Sequence, residues 1–129
     1  MSSNTEIIRT LYDGFAREDV PAVLAALDPE VRWTEADGSP HGGTYFGPEA
    51  VLKNVLMNLQ AEWEAFTATP SEFVSERDTV VVCGEYAGTC RATGKRFRAP
   101  FAHVWKRRGA MVVRFQQFTD TAVVQSAMV

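Results

Sequence analysis

The order of apolar patterns along the chain predicts an α+β domain, with a curved, mostly antiparallel sheet whose concave face is covered by N-terminal helices. Three observations carry this expectation. The first third repeats apolar residues at helical spacing, the residues from about Trp63 onward alternate as strands do, and turn signals divide that second part into four runs. Helices first and a strand meander afterwards give α+β rather than alternating βαβ units.

Each element has its own signal. Ser3 to Glu6 has the S-x-x-E form of a capping box, and Ile7, Ile8, Leu11, Tyr12 and Phe15 then form one apolar stripe. Asp19 is suited to cap a second, short helix with Pro21 in its first turn, and Asp28-Pro29 stops it. Residues 31–35 alternate as a short strand. A glycine-rich loop, 37–43, follows, and Gly47-Pro48 opens a third helix with Val51, Leu52, Val55, Leu56 and Leu59 on its core side. Strands are predicted at about 63–75, 79–91, 95–107 and 111–119, with turns near Arg77-Asp78, Thr93-Gly94 and Arg108-Gly109. Asp120 is placed to cap a last helix over about 121–127. A curled sheet roofed by helices leaves a cavity along the seam between them.

Bulk properties exclude several classes. With 129 residues the chain is expected to be a single domain spanning 1–129, and 46% apolar residues suffice for a core. A net charge of -3 gives no global attraction to nucleic acid or to an anionic membrane. The sequence shows neither a membrane-spanning run nor a secretory signal, so a cytoplasmic location is expected. Cys83 and Cys90 lie in one strand-like run, which holds their Cα atoms ~23 Å apart, beyond the about 7 Å that a disulfide tolerates. No His/Asp/Glu cluster has metal-ligand spacing, so neither metal nor organic cofactor is expected. The basic residues Arg91, Lys95, Arg96, Arg98, Lys106, Arg107 and Arg108 cluster near a hairpin tip and largely on the outward parity, as a solvated or dimer-edge surface would.

Strand parity then singles out chemistry. Glu35 shares a face with Val31 and Trp33, His103 with Phe97, Ala99, Phe101 and Trp105, and Gln117 with Met111, Val113 and Phe115. Three polar groups thus project from otherwise apolar faces. A carboxylate against apolar walls has its pKa raised toward the working pH, where it acts well as a general base. A neutral histidine on the same lining can donate or accept a proton. Each has a plainer reading: Glu35 as a strand-end carboxylate bonded to loop N–H groups, His103 as a satisfied core histidine, Asp120 as a helix cap. Tyr12, Trp33, Phe101, Trp105 and Gln117 are expected to shape the pocket. His41 is expected to be an exposed loop histidine, with a lid as the minority reading.

The stretches YDGFAREDVPAVLAALDPEVRW, GSPHGGTYFGPEAVL and RFRAPFAHVWKRRGAMVVRFQQFTD together resemble the SnoaL-like polyketide cyclase and ketosteroid isomerase-like group of the nuclear transport factor 2-like fold. The resemblance implies the cone-shaped fold and a homodimer. It places Glu35 where the isomerase carries its aspartate base and His103 where that enzyme carries a protonated aspartate. The isomerase tyrosine falls near Leu11 rather than on Tyr12. The cyclase base falls on Gln117 or, with a short shift, on Asp120. The polar trio on apolar faces points to a cofactor-free acid–base enzyme of isomerase, cyclase or dehydratase type. Glu35, His103 and Asp120 are its candidate catalytic residues, and a small hydrophobic carbonyl compound is its substrate. The alternatives are a non-catalytic ligand-binding module and a protein-interaction domain of the same fold.

Overall fold

The computed structural model describes residues 4–129; the capping box proposed at Ser3 lies outside them. Helix α1 (Asn4–Ala16) lays Ile8, Leu11 and Tyr12 against the sheet. Helix α2 (Val20–Ala25) follows after a tight corner. There Asp19 accepts from the Ala22 N–H at 3.2 Å and so satisfies one orphan donor of the helix start.

Six strands form one sheet in the order β2-β1-β6-β5-β4-β3. They are β1 (Leu27–Glu35), β2 (Gly43–Phe46), β3 (Trp63–Glu76), β4 (Thr79–Cys90), β5 (Arg96–Arg108) and β6 (Met111–Thr119). All neighbours are antiparallel except β1 and β6, which run parallel with Trp33 opposite Phe115. A closing helix, α5 (Thr121–Ala127), is capped by Asp120, whose carboxylate accepts from Val123 N–H at 3.1 Å. The four long strands and α5 match their expected spans to within a residue or two.

Three local differences from the expectation have physical causes. Strand β1 begins at Leu27 rather than 31, because its pairing with β6 slips between Leu27 and Arg32. Pro29 sits inside that slip, where its missing N–H leaves no ladder bond unmade. Strand β2 is only four residues long, too short to show an alternating pattern. The third helix is not uniform: a short α3 (Pro48–Val51) passes through a π-helical stretch, Leu52–Leu56, into α4 (Met57–Glu62). The wider turn brings the consecutive residues Val55 and Leu56 both into the core, 4% and 7% exposed.

Cys83 and Cys90 lie on the same strand, β4, as free thiols. The basic residues do not form one cluster at a hairpin tip, because Arg91, Lys95, Arg96 and Arg98 lie at the β4–β5 turn and Lys106, Arg107 and Arg108 at the opposite end of β5; all are exposed apart from the half-buried Arg107, and Arg98 pairs with Glu85 at 2.6 Å. Among the described residues no helix is long and apolar enough to cross a membrane.

Gly84 fixes how the sheet packs beside His103. A Cβ there would come within 2.3 Å of the Thr69 carbonyl oxygen, 2.6 Å of Phe101 Cζ and 2.9 Å of Pro70 Cα. Gly84→Ala is therefore expected to destabilise the protein by about 1–3 kcal/mol through overpacking, measured by urea denaturation. An unchanged midpoint would show that the backbone of Thr69 and Pro70 and the ring of Phe101 both give way.

Candidate functional site

Strand alternation in β5 sends Phe97, Phe101, His103 and Trp105 to the covered face. His103 is only 4% exposed and is the one buried polar residue within the apolar core of the described residues. Phe101 stacks on its ring at 4.0 Å and Phe115 packs edge-on at 4.8 Å. A buried imidazole needs partners for both nitrogens, and two phenols supply them. Tyr12 Oη, from α1, lies 2.5 Å from Nδ1, and Tyr86 Oη, from β4, lies 2.5 Å from Nε2.

The outer ends of this chain are donors. Trp105 Nε1–H donates to Tyr12 Oη at 2.9 Å, and indole nitrogen can only donate. Gln117 Oε1 accepts from the backbone N–H of Ala36 at 3.0 Å, which fixes the amide so that Nε2 donates to Tyr86 Oη at 2.9 Å. Each phenol oxygen therefore already accepts one bond from outside. A neutral imidazole offers one N–H and one lone pair. One phenol gives its hydrogen to the lone pair; the other accepts the N–H and has its own hydrogen left over. The His103 tautomer decides which phenol carries the surplus O–H.

Both phenols line an apolar cavity of about 70 Å³ between the helices and the sheet, together with Trp33, Glu35, His103, Trp105, Phe115 and Gln117. The rest of its wall is aliphatic and aromatic, from α1, α2, the π-helical stretch, α4 and β3. Trp33 stacks on Phe115 at 3.9 Å, and its Nε1–H donates to Glu35 Oε2 at 2.9 Å. Among the described residues that is the one hydrogen bond on the Glu35 carboxylate, and the N–H groups of Ala36, Ser39 and Gly42 bond to Gln117 Oε1, Ala36 O and Ser39 O instead.

A second chamber of about 50 Å³ lies against the first and shares Glu35, Tyr86, Gln117, Val55, Leu59 and Phe66 with it. It is also lined by His41 and Glu62. Glu35 thus stands in the wall between the two. A wider hollow of about 410 Å³, edged by Glu18, Asp19, Gln60 and Arg91, shares Phe15, Val23, Leu56, Leu59 and Phe66 with the first cavity.

Burial sets the protonation states. Glu35 is only partly buried as a residue. Its carboxyl is surrounded by protein, and that burial pushes it up to about 7; the Trp33 N–H and the nearby His41 oppose the rise only in part. Burial pushes His103 down to about 3, so the ring is neutral near pH 7. Burial also raises both phenols, Tyr86 further through the charge of Glu35, and both keep their hydrogens.

Five of the expected pocket or catalytic residues (Glu35, His103, Tyr12, Trp33 and Trp105) meet at the first cavity, and Gln117 joins them as the anchor of Tyr86. Two do not. Phe101 lies flat behind His103, over the bare backbone of Gly84, and does not line the cavity. Asp120 lines neither chamber and spends its carboxylate on the α5 cap. His41 is not a loose lid residue: its Nε2 lies 2.8 Å from Glu62 Oε1, and Tyr45 Oη–H donates to its carbonyl at 2.8 Å. Tyr86 went unnoticed in the sequence, although it shares strand parity with the buried Val80 and Val82.

Glu35 and His103 act on stability with opposite sign. Between pH 4.5 and 7 the native Glu35 holds a proton that the unfolded chain has lost, so stability falls as pH rises. Between pH 3 and 6.5 the native His103 lacks a proton that the unfolded chain holds, so stability rises with pH. The slopes offset between pH 4.5 and 6.5. Glu35→Gln removes only the first, so its stability should climb across that window by up to about 1.4 kcal/mol per pH unit relative to wild type. Denaturant titrations at three pH values read this directly, and parallel profiles would contradict the assigned burial.

The family model for the SnoaL-like domain matches residues 8–115. Among solved structures, an NTF2-like protein from Burkholderia thailandensis E264 superposes with a TM-score of 0.96 at 37% identity, covering 100% of this chain and 99% of that one. An NTF2-like protein from Burkholderia pseudomallei K96243 does so at 0.91 and 32% identity, covering 100% and 99%. TerC, co-crystallised with polyporic acid, does so at 0.88 and 27% identity, covering 98% of each chain. No functionally curated protein matches the chain.

Proposed function

The chain belongs to the SnoaL-like domain family, with the NTF2-like fold, and from that premise we propose that it is a cofactor-independent acid–base enzyme acting on a small hydrophobic carbonyl compound. One observation carries the proposal: a carboxyl poised at about 7 and a network holding one more O–H than it can use line the same apolar cavity. A buried donor without an acceptor costs about 1–3 kcal/mol. A ligand oxygen is the partner that relieves it.

In this reading the carbonyl oxygen accepts the surplus phenolic hydrogen while Glu35 removes a proton from the carbon next to the carbonyl. Charge develops on the oxygen as the C–H bond breaks. The O–H of a cavity-lining phenol then stabilises the enolate more than the ketone. Glu35 then returns its proton to another carbon, or the enolate expels a leaving group or closes a ring. The co-crystallisation of TerC with polyporic acid supports a small organic occupant here. The role that fits Asp120 is the cap on α5.

The isomerisation of cyclohex-3-enone to cyclohex-2-enone, followed by ultraviolet absorbance, tests the reading with a minimal substrate. Glu35→Gln should lower the rate by ~10²–10⁴-fold. In wild type kcat/KM should rise with pH through a midpoint of about 7, because only the ionised carboxylate is a base. Equal rates for Glu35→Gln and wild type would sink the assignment. Binding of enones with no conversion would favour a binding module instead.

The phenols make a second, non-additive prediction. In Tyr12→Phe the surplus O–H stays on Tyr86 when His103 carries its proton on Nε2, and in Tyr86→Phe it stays on Tyr12 when the proton is on Nδ1. Each single variant should keep most of its transition-state donor, while the double variant should lose about 10²–10³-fold in kcat. Simply multiplicative losses would mean that His103 does not switch tautomer.

A further inference from the structure

The second chamber holds polar groups that the reaction above leaves unused. Its volume of about 50 Å³ exceeds the ~10–15 Å³ that a single water needs. It brings together Glu35 from β1, His41 from the 37–43 loop, Glu62 from α4 and Tyr86 from β4, the titratable groups of its lining. A water there meets the several polar partners that an ordered buried water requires.

His41 is held in a defined state. Its Nε2 lies 2.8 and 2.9 Å from the two Glu62 oxygens. Its Nδ1 lies 3.4 Å from the Asn58 amide nitrogen, which can only donate. The N–H is therefore on Nε2, facing the carboxylate, and the lone pair is on Nδ1. The loop that carries it is pinned by Ser39 Oγ–H and Ser39 N–H on Ala36 O, by Gly42 N–H on Ser39 O, and by Gln125 on Gly38 O. The side chains of His41 and Glu62 are 36% and 30% exposed, so the pair reaches solvent.

A ligand filling the first cavity covers one side of Glu35 and leaves the second chamber open behind it. We propose that the His41–Glu62 pair is the proton port of Glu35, through water in that chamber; this rests on Glu35 acting as the base. A proton leaves the Glu35 carboxylic acid for the water, and a proton of that water passes to Nδ1 of His41, whose lone pair is freed as the long 3.4 Å contact from Asn58 gives way. The resulting imidazolium, held at Nε2–H by the Glu62 carboxylate, releases the Nδ1 proton to bulk water, and the Asn58 contact on Nδ1 re-forms. Glu35 ends as carboxylate, no electrons change hands, and no co-reactant is needed. A working port mixes the abstracted hydrogen with solvent; a blocked one forces it back onto the same ligand.

The isotope content of the product separates these outcomes. Cyclohex-3-enone is converted in D₂O by wild type, His41→Gln and Glu62→Gln, and early product is analysed by mass spectrometry. Wild type should deliver mainly solvent deuterium. His41→Gln should lose most of that incorporation and return the ligand's own protium, and Glu62→Gln should fall between. Equal deuterium in all three overturns the port, whereas a fully active Glu35→Gln overturns the base and leaves the isotope result for the variants interpretable by itself. If cyclohex-3-enone is not converted at all, the Glu35 carboxyl is titrated by ¹³C NMR in wild type and His41→Gln. An upward shift of its midpoint upholds the link between the two groups, and an unchanged midpoint overturns it.

Discussion

The imidazole of His103 between two phenols is the contact on which the rest of the site depends. An aromatic core tolerates a histidine only when both nitrogens are met, and here α1 and β4 each reach in with a tyrosine to do so. The same bonds tie the roof helix to the sheet, so the contact is structural before it is chemical. Trp105 and Gln117 then saturate the outer sides of the phenols. The arrangement is complete in every bond but one, and the unspent phenolic hydrogen belongs to a wall of the cavity.

Glu35 is placed by a different logic. It ends β1, next to the loop that β2 folds back, and only the Trp33 indole restrains its carboxylate. Few stabilising contacts and much protein around it raise its pKa, which is the condition a base at neutral pH requires. Desolvation also keeps His103 neutral, so one physical cause prepares an acceptor of protons and a donor of hydrogen bonds a short way apart. The position of Glu35 in a wall between two chambers adds a second approach to its carboxyl, from the side of His41 and Glu62.

Strand parity made much of the site legible. Glu35, His103 and Gln117 stood out because each broke an apolar alternation, and all three line the cavity. Tyr86 obeys the same parity but breaks nothing, since a tyrosine on a core face looks like core. Phe101 shows the reverse failure: parity turned it inward, yet the missing side chain of Gly84 lets its ring lie back under His103. His41 and Glu62 are 21 residues apart and on different elements, so no spacing rule joins them. Asp120 illustrates a tie that local structure decides, because a carboxylate at a helix start meets backbone N–H groups before it meets a ligand.

From its residues alone, the chain determined the order of its helices and long strands, the covered face of the sheet and the polar residues that interrupt that face. These follow from periods of two and 3.6 along the backbone, which are local properties. The tertiary structure alone decided which hydroxyl meets which ring nitrogen, where the cavity divides, and how far Glu35 and His103 shift in opposite directions. Those depend on distances between residues far apart in sequence and on how much water the finished packing excludes, and neither quantity is written in any single segment of the chain.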